Sequence, residues 1–239
     1  MPKQVPTERR QLAELIDQAI ALLEDELELG LVGLAVTRTA GNRAVDPSGS
    51  RAAVTSRGRA LGALEEEVTA CTRCDLAKGR TQSVFARGDP SARLLLVGEG
   101  PGRDEDLQGL PFVGAAGKLL DRMIVAMGLR PEEVYICNVV KCRPPHNRTP
   151  LANEAAACLP FLARQIELVG PDMIVALGRC AANNLGCAPP VGPWRGIWRE
   201  WHGIAVMPTY HPAYLLRSPE FKRTVWSDLK KVMHRLGLA

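Results

Sequence analysis

The sequence predicts an α/β fold: a central, mainly parallel four-stranded sheet flanked by helices on both faces, with an N-terminal helix and a flexible linker ahead of it. Three observations carry that expectation. Four short apolar or β-branched runs, 93–97 (RLLLV), 134–140 (VYICNVV), 173–177 (MIVAL) and 204–208 (IAVMP), have the length of strands. Apolar side chains at helical spacing fill the stretches between and after them, at 115–127, 151–168, 178–185 and 220–235. Strands alternating with helices call for a parallel sheet covered on both faces. Finally, the polar chemistry of the chain is concentrated just after the apolar runs, and sites in such sheets lie beyond the carboxyl ends of the strands.

The elements follow in order. Leu12, Leu15, Ile16, Ile20, Leu23 and Leu27 form one apolar stripe opposite an acidic face, so residues 1–30 are expected to hold an amphipathic helix. Such a stripe suits self-association or docking to an unidentified protein partner. Residues 31–59 are expected to be a disordered basic linker, in which Arg38, Arg43, Arg51, Arg57 and Arg59 face a single Asp46. The domain proper is expected over 60–239, opening with a helical stretch at 61–70. The apolar share of 46% allows a full core. No apolar run reaches the ~18 residues of a membrane span, and the polar N-terminus lacks a signal core, so a cytoplasmic location is expected. A net charge of +4 is too mild to argue nucleic-acid binding by itself.

Seven cysteines in a chain with no export signal point to metal binding or catalysis before disulfides. Cys71 and Cys74 form a CxxC pair, the spacing at which two thiolates grip one metal centre. Cys137 sits inside an apolar strand, and Cys180 and Cys187 flank a short helix; all three read as packing. Cys142 follows a strand and Cys158 lies on the next helix, so both can face one site. No second CxxC is present to make a zinc ribbon, and spacing alone leaves the metal open between zinc and iron–sulfur.

The segment LLLVGEGPGRDED feeds a strand into a glycine turn. The dinucleotide fingerprint fails because its third glycine would fall at Arg103, and Gly117-Lys118 lacks the first glycine of a P-loop. What remains is a tight turn whose backbone N–H groups can approach a ligand closely. Phe112, just ahead of a helix, is placed to stack on a flat ligand.

The segments CTRCDLAKGRTQSVFARGDP, LLLVGEGPGRDEDLQGLPFVGAAGKLLDRM, VYICNVVKCRPPHNRTP, the cysteine of EAAACLPF, and PTYHPAYLLR run in one order over residues 65–236. Together they resemble the family 4 uracil-DNA glycosylases, the iron–sulfur branch of that superfamily. The resemblance implies a [4Fe–4S] cluster on Cys71, Cys74, Cys142 and Cys158. It implies a uracil pocket of Gly98, Glu99, Gly100, Phe112, Asn138 and His211, with Glu105 and Asn147 close to the chemistry. Uracil-containing DNA becomes the expected partner, met in the cytoplasm at the nucleoid.

Those residue types suit that work. An enzyme acting on a base must take it out of the stack and read its Watson–Crick edge. The Asn138 amide offers one donor and one acceptor, complementary to O4 and N3–H of uracil and mismatched to cytosine. Charge develops on the departing ring, so a donor at O2, from His211 or the backbone around Glu99–Gly100, counts most in the transition state. Glu99, Glu105 and Asn147 are the candidates for positioning water, and Glu105 is also a candidate to exclude thymine's methyl group. Leu215 and Leu216 suit a wedge into the gap left by the flipped base, with Arg217 on a phosphate; Arg143, Arg148, Lys222 and Arg223 are candidates for further phosphate contacts. The rival readings are a non-catalytic metal-cluster module that binds nucleic acid, and a small-molecule nucleotide hydrolase. The first leaves Glu99, Asn138 and His211 at strand ends unexplained.

Overall fold

The structure, a computed structural model, describes residues 47–238, with side chains from residue 56 onward. The amphipathic segment 1–30 therefore lies outside the described residues. The first element, α1 (Pro47–Thr69), is a helix of 23 residues, so residues 47–59, expected as linker, are helical. Its register is set by burial: Leu61, Leu64 and Val68 enter the core at helical spacing. On its exposed flank Glu67 forms a bidentate pair with Arg164.

The order continues with α2 (Leu76–Gly79), β1 (Ala86–Gly88), β2 (Leu94–Gly98), α3 (Arg103–Gln108), α4 (Ala115–Ala126), β3 (Tyr135–Asn138), α5 (Ala152–Val169), β4 (Met173–Leu177), α6 (Arg179–Asn184), β5 (Arg199–Trp201), β6 (Ile204–Thr209), α7 (Pro212–Arg217) and α8 (Lys222–Leu236). The four strands expected from the apolar runs are β2, β3, β4 and β6, and they are parallel to one another. The sheet, however, is mixed and six-stranded, in the order β1-β3-β2-β4-β6-β5. The two added edge strands are antiparallel. Each has three residues and carries charge (Ala-Arg-Gly and Arg-Glu-Trp), so no apolar run announces it. Short, charged edges also block pairing with other chains.

Alternate residues of the central strands feed two cores. Leu95, Val97, Ile174, Ala176 and Val206 face α1, α5 and α6, whereas Leu94, Leu96, Ile136, Val175 and Met207 face α4, α7 and α8. Burial on both faces explains why these strands read as continuous apolar runs. From β2 the chain crosses first to β3 on one side and later to β4 on the other. The order therefore switches at β2, and the crevice beyond its carboxyl end is where a parallel sheet binds ligand.

Candidate active site

That crevice is a cleft of about 660 Å³. It is lined by the turn after β2 (Glu99–Gly102), by Phe112, Asn138, Asn147 and His211, and by Glu105, Tyr214 and Arg217. Every expected polar site residue reaches it, although they come from five separate stretches of chain. Gly98 does not line the cleft; it stands behind it. A Cβ at Gly98 would fall 2.3 Å from Asn138 Oδ1 and 2.6 Å from Phe112 Cζ, so only glycine lets both side chains close over the strand end.

Asn138 ends β3 directly opposite Gly98 in the parallel ladder. It is 2% exposed, and its Oδ1 is buried without a hydrogen-bond partner. Such an orphan is costly unless a ligand pairs with it. Phe112 is held with φ 57°, a left-handed backbone unusual for a bulky residue. Its carbonyl sits where a Cβ on Gly117 would be, at 1.8 Å, so the first turn of α4 is closed tightly on the loop. Phe112 stacks on His211, with ring centroids 5.5 Å apart and planes at 27°.

His211 caps α7: its Nδ1 accepts from the Ala213 N–H at 3.1 Å. With Nδ1 an acceptor, the proton of the neutral ring is assigned to Nε2. Burial, and after it the neighbouring Arg217 guanidinium, push the imidazole down to about 4, so it is neutral at physiological pH. The site thus holds a neutral imidazole with one N–H to donate.

The remaining candidates separate. Glu105 is fully engaged in structure: Oε1 accepts from the N–H groups of Val113 and Gly114, and Oε2 from that of Gly102. It pins the Phe112 loop to the start of α3 and caps α4 with negative charge, hydrogen bonds that favour a structural role over the expected handling of water. Asn147 lies exposed at the rim with φ 55°, its Oδ1 accepting from Arg143 Nε at 2.8 Å. Glu99 faces the cleft and also a second groove behind it, where Cys180 lies. Cys180 is half-buried and lines that groove instead of filling the core; burial first, and then Glu99, raise its thiol to about 12. Cys137 and Cys187 are buried, as expected of packing.

The wedge expectation is half corrected. Leu215 is 1% exposed and belongs to the core with α4 and α8, because the helical turn points it inward. Leu216 is 45% exposed, and Arg217 beside it lines the cleft. Among the expected phosphate ligands, Arg148 is taken by a bidentate pair with Glu154, and Arg143 by Asn147.

On the other side of β3, Cys71, Cys74, Cys142 and Cys158 line one small cavity with Val68, Ala77, Lys141 and Phe161. The thiols surround a space; among the described residues no three metal-ligating side chains stand close enough to hold a single ion. Arg80 Nη1 donates to Cys142 Sγ at 3.0 Å, and the Arg73 N–H to Cys71 Sγ at 3.5 Å. Burial raises the Cys142 thiol, opposed by Arg80. Sequence reasoning missed Arg80 and Lys141; the adjacency of Lys141 to Cys142 was the available signal.

A turn-lined cleft at the switch point of a parallel sheet, with a stacking ring, a buried amide and a neutral imidazole, is suited in shape and chemistry to a flat, hydrogen-bonding heterocycle. Residues 85–230 match the model of the Uracil DNA glycosylase superfamily. A type-4 uracil-DNA glycosylase of Thermotoga maritima is 49% identical over 173 residues, covering 70% of this chain and 90% of that protein. One of Archaeoglobus fulgidus is 43% identical over 186 residues, 74% of this chain and 94% of that protein. A type-5 uracil-DNA glycosylase of Pyrobaculum aerophilum is 32% identical over 147 residues, covering 54% of this chain and 64% of that protein. The chain belongs to the uracil DNA glycosylase superfamily, in its type-4 branch.

Proposed function

We propose that the cleft takes a uracil flipped out of DNA and hydrolyses its N-glycosidic bond, the first step of base excision repair. The carrying observation is the unpartnered Oδ1 of buried Asn138 at the floor of the cleft. Uracil offers N3–H to that oxygen and O4 to the amide N–H. Cytosine offers an acceptor at N3 and a donor at N4, which leaves the amide mispaired.

Phe112 supplies the stacking face, and Gly98 the clearance that sets ring and amide together. His211 donates its Nε2–H toward O2, where negative charge accumulates as the bond breaks. A neutral donor strengthens as that charge grows, so it stabilises the transition state more than the bound substrate. Of the carboxylates expected to handle water, Glu99, on the wall of the cleft, is the one that orients the attacking water, since Glu105 is spent on backbone N–H groups. Asn147 stands at the mouth. Leu216 fills the vacated stack, and Arg217 meets a phosphate.

Cys71, Cys74, Cys142 and Cys158 are read as ligands of a [4Fe–4S] cluster. Their shared apolar cavity, the CxxC pair and the Arg80 donor on Cys142 support the fit. The group would supply a covalent tie between the 71–74 loop after α1, the 138–144 turn and α5. It shares no lining residue with the cleft, so base recognition and bond cleavage fall to the chain's own side chains.

Uracil release from an oligonucleotide under single-turnover conditions tests the reading. Asn138→Asp is the decisive variant: uracil release falls and cytosine release rises relative to it. Unchanged discrimination would remove Asn138 as the reader.

A further inference from the structure

Asn138 floors the cleft, while Lys141, three residues on, lines the cysteine cavity. Lys141 is 1% exposed, a long cationic side chain wholly inside the protein. Its Nζ donates to the backbone carbonyl of Asn138 at 2.6 Å. No carboxylate pairs with it among the described residues. A buried ammonium without a counter-charge is expensive, and burial of charge is tolerated where it is paired. The groups beside it that can bear negative charge are thiols: Lys141 lines one cavity together with Cys71, Cys74, Cys142 and Cys158.

The rest of the turn is fixed from outside. The N–H groups of Val139 and Val140 donate to the carbonyls of Gly98 and Glu99. The Asn138 carbonyl points the other way and takes its bond from Lys141. The peptide that carries the base-reading amide is therefore held between the strand end of β2 and a cation seated on the cysteine cavity.

We propose that Lys141 is a positioning residue that couples the four-cysteine centre to uracil recognition. Its ammonium is the counter-charge of the anionic thiolate centre. Through its bond to the Asn138 carbonyl it sets the pose in which the amide meets uracil. The coupling rests on the reading of the four cysteines as cluster ligands.

The test uses the full-length protein purified without oxygen. Lys141→Met keeps the length and removes the charge and the donor; Lys141→Arg restores both. One readout is the cluster itself: iron content, visible absorption and midpoint potential measured without DNA. The other is the uracil increment, the ratio of affinities for an oligonucleotide carrying 2′-fluoro-2′-deoxyuridine, which resists cleavage, and the same oligonucleotide with an abasic site. In Lys141→Met the iron remains, the potential moves negative, and the uracil increment falls tenfold or more with abasic binding within twofold. Lys141→Arg recovers most of the increment. If the methionine variant does not fold, Lys141→Leu, which likewise lacks charge and donor, replaces it and is expected to lose the increment in the same direction. An increment unchanged in a folded neutral variant overturns the proposal. A wild-type protein without iron sinks the cluster reading instead, so the two failures are distinguishable.

Discussion

The cleft and the cysteine cavity stand on opposite sides of the same short turn, and they are built by opposite rules. The cleft is polar and carries unmet chemistry: an orphaned amide oxygen, left-handed backbone at Phe112 and Asn147, and a desolvated histidine. The cavity is apolar apart from its thiols and cations, and a helix, a turn and a second helix close around it. Strain and unpaired groups persist only where surrounding structure holds them. The comparison sharpens the proposal: the cleft is the region read as performing the reaction, and the cavity the one read as holding the turn that presents Asn138.

The largest effect should separate the two regions by rate. His211→Ala should lower single-turnover uracil release by a factor on the order of 10²–10³, the usual cost of one transition-state donor. Iron content and DNA affinity should stay near wild type. A near-normal rate would pass the donor role to the backbone at 98–102.

Damage to the cavity should instead be read in stability. Cys142→Ala should lose iron and visible colour and melt at lower temperature, while Cys180→Ala and Cys187→Ala keep their colour. Stoichiometric zinc in the wild-type protein would contradict the iron–sulfur assignment.

The neighbours Leu215 and Leu216 sharpen the comparison within one helical turn. Leu215→Ala should destabilise by about 2–5 kcal/mol, as expected for truncation in a packed core. Leu216→Ala should change stability by no more than about 0.5 kcal/mol and weaken excision from duplex DNA more than from single strands. Equal effects on both strand types would remove Leu216 as the wedge.

The pH dependence should be confined to acid pH and of defined sign. His211 titrates at about 4 in the fold against 6.5 when free, so the unfolded chain binds the extra proton between those values. Its contribution is complete above 6.5 and is lost as pH falls toward 4. The excision rate should therefore show no limb from His211 between about pH 5 and 8. Thermal melts should show that His211→Gln removes part of the wild-type acid sensitivity.

The smallest effect is expected from deleting residues 1–46, which should leave uracil release within a few-fold. Deletion to residue 59 goes further, because it cuts into α1 and removes the Arg57 contact to the Val169 carbonyl. A modest loss at low salt that shrinks as salt rises would point to phosphate contacts from the linker arginines.

Much of this was legible because of how parallel sheets are made. Strands buried on both faces must be apolar throughout, so β2, β3, β4 and β6 stand out as runs, and residues just after β2 and β6 line the cleft. Glu99 and His211 follow such runs and line the cleft, whereas Asn138 lies inside the run 134–140 and is reached only through the family resemblance. The CxxC pair is legible from the chain alone. Contacts between distant residues were not legible. Periodicity over six residues cannot say which of Leu215 and Leu216 turns inward; packing against α4 decides it. The edge strands β1 and β5 are too short and charged to show a pattern, and exist because a neighbouring strand offers them hydrogen bonds. The capture of Glu105 by three backbone N–H groups, the acceptor role of His211 Nδ1 and the seat of Lys141 follow from the same cause. A hydrogen bond depends on where two groups meet in space, and spacing along the chain fixes that only within a single element.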